Sequence, residues 1–238
     1  MNSYKLIPLT ILFVLFNSCA DLQQVVNQLP GNTGLTNEEI ASGLREALDK
    51  GIEKQVSTLS MENGFFKNDL VKIGLPDELQ KVDKTLRNIG LGSLADEGLK
   101  VLNRAAEDAV KEATPIFVDA VKGITFTDAK NILMGSDNAA TRYLEKATAD
   151  PLYQKFNPVI ESSFTKVGAD AVWKNLITKY NALPLVEKVN PDLTDYVTQE
   201  ALNGVYTMIS LEEKAIREKV SERTTMLLKR VFALQDKQ

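Results

Sequence analysis

From Thr36 onward apolar residues recur at intervals of three and four, the period of a helix that buries one face. Thr36-Asn37-Glu38-Glu39 opens the region as a capping box, in which Thr36 and Glu39 would satisfy each other's free backbone donors. Ile40, Leu44, Leu48, Ile52, Val56 and Leu59 then mark one face. Pro76 suits a first helical position ahead of Leu79, Val82, Leu86 and Ile89. A longer helix is expected after Ser93, through Leu94, Val101, Leu102, Ala105 and Ala109, with a break near Pro115. Asp150-Pro151, Asn157-Pro158 and Asn190-Pro191 each set a preferred cap residue before proline, so three further helix starts are expected there. Ser136-Asp137 predicts another, with Gly135 ending the preceding short helix in a left-handed conformation. Alternating runs of the β type are missing, no internal repeat is apparent, and Asp192 to Phe232 is not a clean heptad array. The pattern predicts an all-α fold of roughly eight to ten helices, a single compact multi-helix domain over 36–238.

The first 35 residues read differently. Met1 to Lys5 form a short basic head, Leu6 to Phe16 an apolar run of about 11 residues, and Asn17-Ser18-Cys19 a small polar exit. That is signal-peptide length, short of the roughly 18 residues a membrane-spanning helix needs. The segment resembles a bacterial lipoprotein signal, which implies diacylglycerol on the Cys19 sulfur and cleavage before it. Phe16 and Asn17 depart from that pattern, which favours Leu, Ala or Val and then a small residue. The alternatives are a buried helix with Cys19 in its core, and a signal peptide cleaved elsewhere. On the lipoprotein reading 1–18 is the signal and 19–35 the lipidated cysteine with a tether, whose Pro30-Gly31-Asn32-Thr33-Gly34 is linker chemistry. About 16 flexible residues span roughly 20 to 25 Å. Aspartate directly after the cysteine would mark inner-membrane retention; here Ala20 follows Cys19 and Asp21 comes one later, so the expected address in the cell envelope is the outer membrane.

Composition removes several functions. The segment 1–18 carries Lys5 and no acid, so the remainder keeps all 32 acidic side chains against 27 basic ones. That balance argues against a nucleic-acid partner, which is bound through clustered Lys and Arg. The chain has no histidine and one cysteine, which excludes Ser-His-Asp triads, Cys-His proteases, His-bearing zinc sites and the usual haem ligands. No cofactor or metal is expected, although carboxylate pairs, a Ser-Lys pair, or an oxygen-ligated Ca²⁺ or Mg²⁺ remain chemically open.

Glu161-Ser162-Ser163-Phe164 is similar to the Glu-Ser-x-Phe of lytic transglycosylases, in which the glutamate is the acid acting on the glycan, and Tyr180-Asn181-Ala182 echoes a second motif of theirs. Their Gly-Leu-Met-Gln stretch is replaced by Ala169-Asp170-Ala171-Val172-Trp173, and the Tyr-Asn-Ala segment comes too soon. The competing reading starts a helix at Pro158, with Glu161 an exposed first-turn carboxylate and Phe164 in the core. Gly135 to Thr141 could hold an anion at a helix N-terminus, but Asp137 more simply supplies the cap itself. Glu212, Glu213, Lys214, Arg217, Glu218, Lys219, Glu222 and Arg223 read as a solvated helix face opposite Ile209, Ile216, Val220, Leu227, Leu228, Val231 and Phe232. Trp173, Tyr180, Tyr143, Tyr153 and Tyr196 could line a sugar or lipid pocket, with packing the default role.

A wider resemblance covers about Leu35 to Phe232. Its pieces include Leu35-Thr36-Asn37-Glu38-Glu39-Ile40, Leu75-Pro76-Asp77-Glu78-Leu79, Leu102-Asn103-Arg104-Ala105-Ala106-Glu107, Asp128-Ala129-Lys130-Asn131-Ile132-Leu133, Ala139-Ala140-Thr141-Arg142-Tyr143-Leu144, Tyr196-Val197-Thr198, Glu212-Glu213-Lys214-Ala215-Ile216-Arg217 and Arg223-Thr224-Thr225. Together these resemble the bacterial domain-of-unknown-function family 4197, exported proteins of Gram-negative envelopes. The resemblance implies a helical exported domain with no assigned activity, and carries no functional residues over. The expected function is non-catalytic binding or scaffolding at the periplasmic face, with the membrane as partner through lipid on Cys19 and an envelope protein, glycan or lipid as a further partner. The alternatives are a carboxylate enzyme on peptidoglycan with Glu161 as its acid, and a carrier of an apolar ligand between helices.

Overall fold

A long apolar stripe produces the first helix where the periodicity predicts it. In the computed structural model, which describes residues 34–88, 92–167, 188 and 192–237, α1 spans Asn37–Ser60 and begins directly after Thr36. It buries Leu44, Leu48, Ile52, Val56 and Leu59. Then follow α2 (Asp77–Asn88), α3 (Gly92–Val110), α4 (Ala113–Lys122), α5 (Phe126–Leu133), α6 (Ala139–Val167), α7 (Leu193–Glu218) and α8 (Met226–Phe232), so the described residues hold α-helices and no strand. Cys19, Trp173, Tyr180 and Asn190-Pro191 lie outside the described residues.

Several boundaries differ from expectation for identifiable reasons. Pro76 stands just outside α2, and its carbonyl accepts from the Leu79 N–H at 2.8 Å. The break expected near Pro115 falls earlier, at Lys111-Glu112, which leaves Pro115 inside the first turn of α4, where a missing N–H costs nothing. Gly135 does not take a left-handed conformation. α5 ends on Met134 at φ −89°, and what Gly135 supplies is room, since an added Cβ would lie 2.8 Å from the Ala139 Cβ and 2.8 Å from the Asn131 carbonyl oxygen.

The largest departure is α6, which runs unbroken for 29 residues through Pro151 and Pro158, where two new helices were expected. Each proline forfeits a backbone bond and strains the helix by about 3 kcal/mol. Both lie on the exposed side, as do Ala147 and Gln154, whose carbonyls lose their donors. Beyond Pro151 the same helix face continues into Leu152, Phe156, Ile160 and Phe164, all fully buried. Burying four such side chains gives roughly 6–12 kcal/mol, enough to offset two prolines.

Those residues belong to one row at strict four-residue spacing, which starts at Ala140, Leu144 and Thr148. With 3.6 residues per turn, each four-residue step turns about 40° around the axis, so the row winds around the helix. Accordingly α6 meets α5, α4, α3 and α7 along its length. α7 carries a matching row: Leu193, Val197, Ala201, Val205, Ile209, Glu213 and Arg217, all buried. The two helices run antiparallel, with polar pairs marking the register. Thr141 faces Glu213 at 2.8 Å, the Thr148 and Tyr206 hydroxyls meet at 2.8 Å, and the Asn157 amide donates to Thr198 Oγ1 at 3.3 Å. Such four-apart rows are the ridges by which helices interlock.

The connection between α1 and α2 is held by three consecutive polar positions of α3. Asn103, fully buried, accepts the Ile73 N–H at 2.8 Å and donates to the Ile73 carbonyl at 2.9 Å, pairing with both backbone groups of that residue as a neighbouring strand would. Glu107, also buried, accepts from the N–H groups of Phe65 and Phe66 and from Arg104, which reaches on to Glu62 and Asn63. Phe65 then packs against Gly204 of α7, where a Cβ would come within 2.7 Å of its ring.

Asn103→Ala strands both backbone groups of Ile73 in the interior, and is expected to cost about 3 kcal/mol. Urea unfolding should show a lower midpoint at unchanged slope, with faster hydrogen exchange at the Ile73 amide; an unchanged midpoint would refute the bridge.

Candidate functional site

The densest buried polar cluster lies where α5 ends, α6 begins and α7 ends. Glu213 and Arg217 stand one turn apart on α7, each side chain 5 % exposed. A carboxylate is stabilised by the positive end of a helix dipole and a guanidinium by the negative end, and both conditions are met here. Glu213 accepts from the first-turn N–H groups of α6, Ala140 and Thr141, each at 2.9 Å, and from the Thr141 hydroxyl. Arg217 donates to the last carbonyls of α5, Ile132 at 2.8 Å and Leu133 at 3.0 Å. Its remaining donors go to Glu213 and to Gln235 Oε1, so all five N–H groups of the guanidinium are used.

Arg223, at 2 % exposure the largest fully buried side chain among the described residues, continues the cluster. Its Nε donates to the Ile216 carbonyl at 3.0 Å and its Nη2 to the Arg217 carbonyl at 2.8 Å, closing the end of α7. The outer edge of the fork meets both oxygens of Asp236. The Arg223 hydrogen bond holds the Asp236 carboxyl below the usual carboxylate range.

Two spaces adjoin the cluster. A small cavity of about 20 Å³, lined by Leu48, Ile52, Ile209, Ile216 and Phe232 among others, has room for about one water. An open cleft of about 300 Å³ lies between Leu133, Met134, Gly135 and Asp137 on one side and Arg217, Glu218, Gln235 and Asp236 on the other.

The charged tract of α7 therefore does not behave as the solvated face that was expected. Lys214, Glu218 and Lys219 are exposed, but Glu213, Arg217 and Arg223 are interior. The anion at the start of α6 is Glu213, and Asp137 is exposed in the preceding turn. Glu161 is exposed near the C-terminal end of α6, not in a first turn, and Phe164 is core as expected. Tyr153, half-buried, donates to Asp195 at 2.7 Å, and Tyr196 donates to the Gly74 carbonyl at 3.2 Å, so both hydroxyls tie elements together. Among the described residues no group of three acidic or thiol side chains is placed to hold a metal ion.

Fold and cluster define an all-α domain in which the buried charges join helix ends and anchor a loop. The chain belongs to the family described as "Protein of unknown function (DUF4197)", whose model matches residues 34–233. No curated protein and no solved structure matches it.

Glu213→Ala leaves Arg217 as an unpaired interior charge and two backbone donors without acceptors, and is expected to cost about 3–5 kcal/mol in chemical unfolding. A loss under 1 kcal/mol would show the cluster to be dispensable. A second expectation concerns alkaline pH. The hydrogen bond to Asp195 raises Tyr153 to about 12, and burial raises Tyr206 to about 12. Both stay protonated in the folded state above the ordinary tyrosine value of about 10. Their contribution is thus complete below pH ~10 and lost as pH rises towards ~12. Stability should fall across that window, and Tyr153→Phe or Tyr206→Phe should each flatten the decline.

Proposed function

We propose that this is a lipid-anchored protein of the bacterial cell envelope, tethered through Cys19 to the periplasmic face of the outer membrane, that binds or scaffolds rather than catalyses. The observation that carries the non-catalytic reading is the disposition of the buried carboxylates. Glu107 and Glu213 each have both oxygens taken by backbone N–H groups and arginines, which leaves neither free to exchange a proton with a substrate. The absence of histidine removes the commonest general base as well. The anchor itself rests on the order of basic head, apolar run and lone cysteine at the start of the chain, and no described helix is long and apolar enough to cross a membrane.

Cys19→Ser is expected to move the protein from the membrane fraction to the soluble fraction; retention on the membrane would overturn the anchor. Purified peptidoglycan incubated with the protein should release no soluble fragments. Release by the wild type that is lost in a folded Glu161→Gln variant would replace this reading with the enzyme alternative.

A further inference from the structure

The C-terminal turn Gln235–Lys237 gives an acceptor to each of two interior arginines. Asp236 meets the Arg223 fork with both oxygens, Nη2 to Oδ1 at 2.8 Å and Nη1 to Oδ2, which is the two-pronged geometry that suits arginine to carboxylates. The two partners differ sharply in burial, Arg223 at 2 % side-chain exposure and Asp236 at 42 %. The open cleft of about 300 Å³ lies directly beside Asp236. Arg217 and Arg223 fall within the stretch 34–233 shared with the family, whereas Gln235 and Asp236 fall outside it.

We propose that the outer edge of the Arg223 guanidinium is a carboxylate-binding site, which the chain's own Asp236 fills and from which a carboxylate-bearing ligand seated in the adjoining cleft displaces it. The receptor half is fixed independently of its occupant. Arg223 Nε and Nη2 remain bonded to the Ile216 and Arg217 carbonyls when Asp236 departs, so the fork keeps its aim. The occupant half is the more exposed one. Asp236 sits on a single three-residue turn with its side chain 42 % exposed, and the neighbouring Gln235 side chain is bonded to Arg217. An interior guanidinium without a counter-charge is unfavourable, so a departing Asp236 has to be replaced by another anion. Asp137 and Glu218 add negative charge to the walls of the cleft, which reaches Arg223 only through the position Asp236 fills. The ligand this favours carries an ammonium close to its carboxylate, as a free amino acid or a zwitterionic peptide end does. Because Asp236 competes from within the same molecule, the ligand must overcome an effective concentration in the millimolar range.

The test is thermal unfolding of full-length wild type, Asp236→Asn and Asp236→Ala in sodium acetate, sodium chloride and sodium phosphate at one pH and ionic strength. Both variants should melt below the wild type in chloride and recover about 2–4 °C in roughly 100 mM acetate, the size of shift one regained contact gives in a domain of this length, while the wild type melts alike in all three salts. Equal melting of the folded variants in acetate and chloride would overturn the site. Recovery in phosphate as large as in acetate would overturn its carboxylate character. If neither variant folds, Asp236 is a fixed part of the structure, and exchange is overturned.

Discussion

Glu213 and Arg217 determine where the middle of the chain can lie. Because both project from one face of α7, the end of α5 and the start of α6 must meet there, the first offering carbonyls to the guanidinium and the second N–H groups to the carboxylate. The turn between those helices is thereby fixed at one end of α7, and from that point α6 runs back antiparallel along it. A purely apolar contact would let the helices slide by a turn with little change in buried area. Four interior hydrogen bonds to specific backbone atoms do not allow it, since an offset of one residue leaves charged groups unpaired in a medium of low dielectric constant.

The same economy recurs along the domain. Asn103 and Glu107 on α3 do for the α1–α2 connection what Glu213 and Arg217 do for the α5–α6 turn, by substituting side-chain atoms for a missing backbone partner. Tyr206 with Thr148 and Thr198 with Asn157 are neutral counterparts on the α6–α7 seam. Apolar burial supplies most of the driving force, through the continuous rows on α1, α6 and α7. The polar pairs contribute little net energy while satisfied, and choose which of several well-buried arrangements is adopted.

How much of this was legible in the sequence follows from what each signal measures. Helical periodicity and the absence of alternating runs give the all-α class because they are local. The prolines of α6 misled because proline preference at a helix start is also local, whereas the row from Ala140 to Phe164 is sustained by four other helices. The charged tract misled for the opposite reason. Read as composition it is surface, yet Glu213 and Arg217 fall in step with Leu193, Val197, Ala201, Val205 and Ile209, so the four-residue spacing already set them on the buried side. Arg223, seven residues after Ile216 and across a short 3₁₀ turn, left no such periodic trace, and neither did its pairing with Asp236 at the far end of the chain. The exposed position of Glu161 and the core position of Phe164 were legible; the location of Glu161 in the helix was not.

The contacts of α1 also govern the order in which the domain can be completed. Gly43 lies against Val231, with room for no Cβ, Glu39 pairs with Arg230 at 2.9 Å, and Lys54 with Glu212, so the first helix draws on α7 and α8 for part of its packing, beside what α3, α4 and α5 supply. A polypeptide that emerges amino-terminus first from a ribosome therefore leaves part of the apolar face of α1 uncovered until α7 and α8 have followed. Closure of α1 against α8 comes last in that order, and the part of the apolar face it covers is open to proteases and self-association until then.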